Sequence, residues 1–314
     1  MNYRKDIDGL RAIFMGVFSF LVFDSNTYKS LIVSHFYPEE KINETSQKFL
    51  DLIRPTVFNI EDFGGSIDRK DNSEALQSAI DAAIITGTEL RSDDKWDIYV
   101  GKVYIPAGKW NFEKGVSSSI GVEIYGDGVS KTYLNYSGNS TFLDFSSPEE
   151  KFDLKIKDLF INQIEKDAIA LNLNRNSGVY NVIIEGGGIG IQIENCYTTS
   201  FDSFFIYNTG KFGVLGYNAT NTDFRNFKIE NCLVGAKFTK SSINSSTGLK
   251  FFGGVIQGSY NEGLILENLT NFTSFATFLE GNGRNTDMPQ IRITSDLNGS
   301  FDNDMIAFYS PFIT

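Results

Sequence analysis

Six short stretches of this chain end on an aliphatic residue: Ile161, Ile184, Ile206, Ile229, Ile256 and Leu279. Set one above another on those residues, the next positions read Asn162, Glu185, Tyr207, Glu230, Gln257 and Glu280. All six are polar or amphipathic, so the row is an outward edge. Glutamates and a phenol at a repeated spacing are the material of general acid–base chemistry. If the stretches stack as neighbouring strands, glutamates two strands apart have backbones about 9.6 Å apart. Carboxyl groups about 6.5–9.5 Å apart suit an inverting glycosidase, and about 5–5.5 Å a retaining one. Side-chain tilt spans part of that difference, so inversion is favoured only weakly.

The catalytic candidates are therefore Glu185, Glu230 and Glu280, with Tyr207 among them as a substrate-binding face. Tyr180, Tyr197 and Tyr217 are near in sequence. Asp202, Asp223 and Arg225 begin strands in adjacent repeats and are expected to form a second polar row for substrate. Arg284, four residues after Glu280, is placed to pair with an acidic substrate group or with Glu280 itself. A structural reading stands beside this one, because turns face solvent and polar ladders there commonly only support the fold.

The inventory excludes other chemistries. The one histidine, His35, lies outside the repetitive body, which rules out Ser-His-Asp and Cys-His mechanisms there. Cys196 and Cys232 are 36 residues apart with no CxxC and no histidine partners, so they read as buried free thiols rather than a zinc site. No metal site and no cofactor is expected. A formal net charge of −11 disfavours nucleic acid and anionic membranes as partners. Gly186-Gly187-Gly188 lies between two strands with no following helix and is not a phosphate loop. The asparagine-rich stretches "NLNRNSG" and "YNATNTD" are expected to be loops with left-handed residues.

These residues need a scaffold. Residues 154–300 divide into similar segments about 22–29 residues apart, within the range of solenoid coils. Each has an alternating strand, a polar turn, a glycine and a second short strand. Ahead of them stands one amphipathic helix, expected over about Asn72 to Thr86. Leu76, Ala79, Ile80, Ala83 and Ile84 make a single apolar stripe, Asp71 with Glu74 has capping-box spacing, and Gly87 is the expected stop. An antiparallel sandwich accounts for the strands but not for the helix or the glycine–apolar recurrence.

Around the helix the sequence resembles a known family. "DFGGSIDRKDNSEALQSAI", "VYIPAGKW" and "IYGDGVSKTYLNY", in that order, look like the N-terminal signature of pectate-lyase-like right-handed parallel β-helices, common in phage tailspikes and polysaccharide depolymerases. Gly65 stands where alanine is usual, and "SIDRK" replaces a Gly-Asp-Gly-like turn. The resemblance implies an all-β, single-stranded, right-handed parallel β-helix with the helix as N-terminal lid. It further implies a homotrimer acting on bacterial surface polysaccharide, capsule or O-antigen, at the virion or the cell exterior. Hydrolysis with paired carboxylates is favoured over β-elimination, which needs a base and something to neutralise a uronate carboxylate. A non-catalytic glycan-binding or adhesin module, or an inactive remnant, is the alternative.

The expected organisation is an apolar leader or fused remnant over 1–23 and a neck with a short helix over 24–55. The lid and first coils follow over 56–150, then further coils over 151–314. Residues 3–13 resemble the start of O-antigen-type membrane acyltransferases, without that family's histidine; the leader would bring a membrane partner only as an anchor. The final "FDNDMIAFYSPFIT" reads as mid-coil, which predicts oligomerisation, instability or a shortened product.

Overall fold

The computed structural model describes residues 57–89, 101–118, 121–146, 154–174, 177–240, 246–284, 288–295 and 305–313. The expected leader, the neck and His35 lie outside these.

The chain opens with β1 (Val57–Asn59), a short 3-10 turn (Ile60–Phe63) and helix α1 (Ser73–Glu89). The first coils contain β2 (Lys102–Tyr104), β3 (Gly108–Phe112), β4 (Val116–Ser117), β5 (Glu123–Tyr125), β6 (Thr132–Tyr136) and β7 (Thr141–Phe145). Then long and short strands alternate: β8 (Leu154–Gln163), β9 (Ile169–Asn174), β10 (Ser177–Gly186), β11 (Ile189–Glu194), β12 (Tyr197–Tyr207), β13 (Phe212–Tyr217), β14 (Thr220–Glu230), β15 (Val234–Thr239), β16 (Lys250–Gln257), β17 (Leu264–Glu267), β18 (Thr273–Glu280) and β19 (Ile291–Thr294). Two short strands follow, β20 (Ala307–Tyr309) and β21 (Phe312–Ile313).

The long strands stack into one sheet in the order β1-β2-β5-β8-β10-β12-β14-β16-β18-β20, joined at its sides by β3, β6 and β21. The short strands form an eight-stranded sheet, β4-β7-β9-β11-β13-β15-β17-β19. Consecutive coils pair in parallel throughout, as in β10 with β12, β12 with β14 and β13 with β15. This is the expected parallel β-solenoid, and the right-handed sense is the one that parallel crossovers take.

Left-handed residues turn the corners, and they recur at equivalent places in each coil. Each long strand bends at one of them: Asp158, Asn181, Ser203, Asn226, Gly253 and Ala276 all have φ between 50° and 62°. A second corner follows the long strand at Gly186, Asn208, Asn231, Gly258 and Gly281. Asparagine and glycine dominate because they accept positive φ at least cost. Asn218 and Asn221 of "YNATNTD" are such residues, whereas Asn172 and Asn174 of "NLNRNSG" lie within β9. Both asparagines continue the β9 ladder, in register with Gln192 and Glu194, while Arg175 and Asn176 of the same stretch lie outside the described residues. Gly186 and Gly187 form a corner with no helix after it, and a Cβ on Gly187 would overlap the amide of Gln163.

Between the sheets lies a continuous apolar core. Phe201 stacks on Phe224 at 4.8 Å and Phe204 on Phe227 at 5.6 Å, all four buried and each pair spanning adjacent coils. Cys196 and Cys232 are buried free thiols, and burial pushes the Cys196 thiol up to about 12. Helix α1 buries Leu76, Ala79, Ile80 and Ala83 against β1, β2 and β4. Its ends differ from expectation. Asp71 accepts from the Ser73 amide at 2.9 Å and from the Glu113 amide at 3.1 Å, tying the helix start to the end of β3. The helix also continues through Gly87 to Glu89, a position where glycine costs about 1 kcal/mol relative to alanine.

Ala276 occupies a corner with φ 50° and an exposed side chain. Ala276→Gly should raise the unfolding free energy by a few tenths to about 1 kcal/mol, since the left-handed cost for an L-residue exceeds the entropy that glycine adds to the unfolded chain. Urea unfolding monitored by circular dichroism checks the sign; a destabilised variant would contradict this account of the corners.

Candidate functional site

The long-strand register assembles the outward row residue by residue. Asn111 lies opposite Asn135, and Asn135 opposite Asn162. Asn162 lies opposite Glu185, and Glu185 opposite Tyr207. Tyr207 lies opposite Glu230, Glu230 opposite Gln257, and Gln257 opposite Glu280. The aliphatic residues just before them, Ile161, Ile184, Ile206, Ile229, Ile256 and Leu279, are buried. Alternation along the strand then turns Glu185, Tyr207 and Glu230 outward, where they are half-buried.

Interactions along the row are specific. The Tyr207 hydroxyl donates to Glu185 Oε2 at 2.8 Å, and its ring stacks on Phe205 at 4.7 Å. Burial, and then the hydrogen bond and charge of Glu185, push the Tyr207 phenol up to about 12. Glu230 receives the Lys228 ammonium at 2.7 Å on Oε2 and the Gln257 amide at 2.7 Å on Oε1. The Lys228 hydrogen bond, helped by Gln257 and by the charges of Lys228 and Arg284, holds the Glu230 carboxyl below its ordinary value despite its burial. Lys228 also lies 5.0 Å over the Phe205 ring. Glu280 continues the row but is exposed. The row thus combines a carboxylate kept ionised with a phenol kept protonated, one strand apart.

The second row is not single. Asp202 lies opposite Arg225, but Asp223 lies opposite Ser200 and Lys250, two residues away along the strand. The reason is that Asp223 and Arg225 are neighbours on one face of β14 and cannot share a row. They are joined instead by an ion pair of 2.8 Å, and Arg225 rests 4.5 Å over Phe252. Asp202 accepts from Ser203 at 2.8 Å and from Asn226 at 3.0 Å and so supports the corner. Arg284 bonds Gly281 and Asn231, and not Glu280.

Sequence reasoning missed a polar row on the short-strand sheet, where Asn174 lies opposite Glu194, Glu194 opposite Tyr217, and Tyr217 opposite Thr239. Glu267 accepts from Thr239 at 2.9 Å and pairs with Lys237 at 2.9 Å. Burial opposes ionisation of Glu267, yet the Lys237 and Thr239 hydrogen bonds hold its carboxyl below the ordinary value. The signal was the alternation of the second strand in each repeat. A groove of about 520 Å³ lies elsewhere, lined by Glu113, Lys114, Ser117, Asn139 and Asp144 among others.

Comparison with known proteins follows the fold. Residues 57–164 match the family described as rhamnogalacturonase A/epimerase, pectate lyase-like. That match covers the N-terminal part of the parallel solenoid that the strand pairing defines. No curated protein sequence matches the chain. Among solved structures it is similar to the A-module of the Azotobacter vinelandii mannuronan C-5 epimerase AlgE4, with 15% identity and a TM-score of 0.56 over 82% of this chain and 97% of that one. It is also similar to ORF18 of Geobacillus virus E2, at 14% identity and 0.58 over 87% of this chain and 54% of the viral one. The enzymatically active domain of tailspike protein 2 of bacteriophage CBA120 matches at 10% identity and 0.51, over 82% and 46%.

The lowered carboxyls give a pH prediction. A glutamate whose folded pKa is depressed adds stability above its unfolded value, about 4.3, and that stability is lost as pH falls through the folded value. Lys237→Met should therefore cost more stability at pH 7 than at pH 3, measured by urea unfolding at both. An equal loss would mean that Lys237 acts through packing alone.

Proposed function

We propose that this chain acts on polysaccharide as a tailspike-like depolymerase, cleaving glycosidic bonds of a bacterial surface glycan by hydrolysis. The observation that carries the reading is the in-register run Glu185–Tyr207–Glu230, with Glu230 ionised beside Lys228. Their spacing of two strands, about 9.6 Å at the backbone, sits at the upper edge of the inverting range. In this mechanism Glu230 takes the proton of an attacking water. Glu185, on the other side of Tyr207, first takes a proton from solvent and in that protonated form delivers it to the leaving oxygen, while the Tyr207 hydroxyl holds Oε2 and orients the group. Glu280 and Arg284 border the same row toward later coils and are proposed to contact substrate; Asp202, Asp223 and Arg225, earlier along the strands and beyond the bend at Ser203 and Asn226, are proposed as contacts farther along a bound glycan.

Elimination is less well supported, because a phenol pushed up to about 12 is a poor base at neutral pH. The fold supports the substrate class through the proteins that share it: an epimerase named for mannuronan and a tailspike domain named as enzymatically active. Action at the virion or outside the cell, and assembly as a homotrimer, belong to the same proposal. A binding-only reading is favoured by one observation, the ladder in which the exposed Phe275 stacks on the half-buried Phe252 at 5.4 Å and on the exposed Tyr309 at 4.9 Å.

Incubation with purified capsular and O-antigen polysaccharides separates the readings. Hydrolysis releases reducing ends without an ultraviolet-absorbing unsaturated product, and Glu230→Gln should lower the rate about 10²- to 10⁴-fold with folding unchanged. An unsaturated product would establish a lyase. Retention of glycan without new reducing ends would establish the binding module.

A further inference from the structure

Arg284 follows β18, yet its side chain reaches back to the corner beside Glu230, 53 residues earlier in sequence. Nη1 donates to Asn231 Oδ1 at 3.2 Å, while Nε donates to Gly281 O at 3.3 Å. The path between them crosses Gly258. A Cβ there would lie 2.5 Å from Arg284 Nη2, 2.9 Å from Cζ and 2.8 Å from Asn231 Oδ1. Gly258 has φ 65°, a left-handed corner like Asn208 and Asn231, and here a side chain would displace the guanidinium, so glycine leaves its path open. Asn231 is itself left-handed, with φ 52°, and directly follows Glu230. Three successive corners of the solenoid, Asn231, Gly258 and Gly281, thus form a seat for one cation.

We propose that Arg284, seated across Gly258 and anchored on Asn231, is a positioning residue that acts through Glu230. The inference rests on the reading of Glu230 as the ionised member of the site. Arg284 makes no ion pair with Glu230; its fixed charge acts across the corner, so its effect depends on the seat. The groups around Glu230 are Lys228 on its own strand, the buried Cys232 thiol two residues on, Tyr207 on β12, Gln257 on β16, Arg284, and Glu185 and Glu280 two strands away on either side. Lys228 and Arg284 are the cations among them. Lys228 is on the same strand and is placed by local geometry, whereas Arg284 is placed by chain from two coils later.

The test follows the Glu230 side-chain carboxyl by ¹³C NMR against pH, on the whole chain and without substrate. Arg284→Gln should raise the Glu230 midpoint toward the ordinary value near about 4.3. Asn231→Gly keeps the left-handed corner and removes the anchor; it should raise the midpoint as well, with Arg284 still present. Arg284→Lys should recover part of the shift, because it keeps the charge but cannot bond Gly281 and Asn231 together. Thermal unfolding confirms that each variant is folded. An unmoved midpoint in Arg284→Gln overturns the proposal, and movement there but not in Asn231→Gly overturns the seat. If both midpoints move while Glu230→Gln leaves glycan cleavage intact, the positioning stands and the proposed function of Glu230 fails.

Discussion

The rest of this structure depends on the parallel hydrogen-bonded register between successive coils. One coil of 22 or so residues cannot bury its own apolar face, so it is stable only when stacked on neighbours. Stacking in strict register then has a second effect. It places chemically similar positions of each coil in straight rows, about 4.8 Å apart. Inside, those rows are phenylalanine stacks such as Phe201 on Phe224. Outside, they are the glutamates, tyrosine and amides of the candidate site.

A row of carboxylates at that spacing would be self-repelling, and the structure handles the charge locally. Glutamates occupy every second coil between Glu185 and Glu280, with Tyr207 and Gln257 in the coils between. Both spacers donate to a neighbouring glutamate. Lys228 completes the shell of Glu230. The same pattern supports the fold and, in the proposed function, serves the chemistry, because a carboxylate held ionised by a lysine is both stabilising and available as a base.

The outward row was legible because its period is the period of the coil, and the buried aliphatic before each member marks the strand face. The register of the second row was not. Asp223 and Arg225 both look like strand starts, and only the pairing of Asp202 with Arg225 separates them. Corner chemistry was half legible. Asparagine favours the left-handed region, which identified Asn218 and Asn221, but Asn172 and Asn174 are equally at home in a buried polar ladder. The end of helix α1 was misjudged because glycine permits a stop without enforcing one. The seat of Arg284 was beyond sequence, since Arg284 and its anchor Asn231 are 53 residues apart and joined only by the stacking of corners.

The most direct measurement is a set of backbone nuclear Overhauser contacts between coils. The account expects Ile184, Ile206, Ile229 and Ile256 to be linked in succession, each to the next, in a parallel pattern with Glu185, Tyr207, Glu230 and Gln257 linked one residue later. Contacts in an antiparallel pattern, or displaced by a single residue so that Tyr207 faces Ile229, would contradict it, because every outward row described here would then be taken apart.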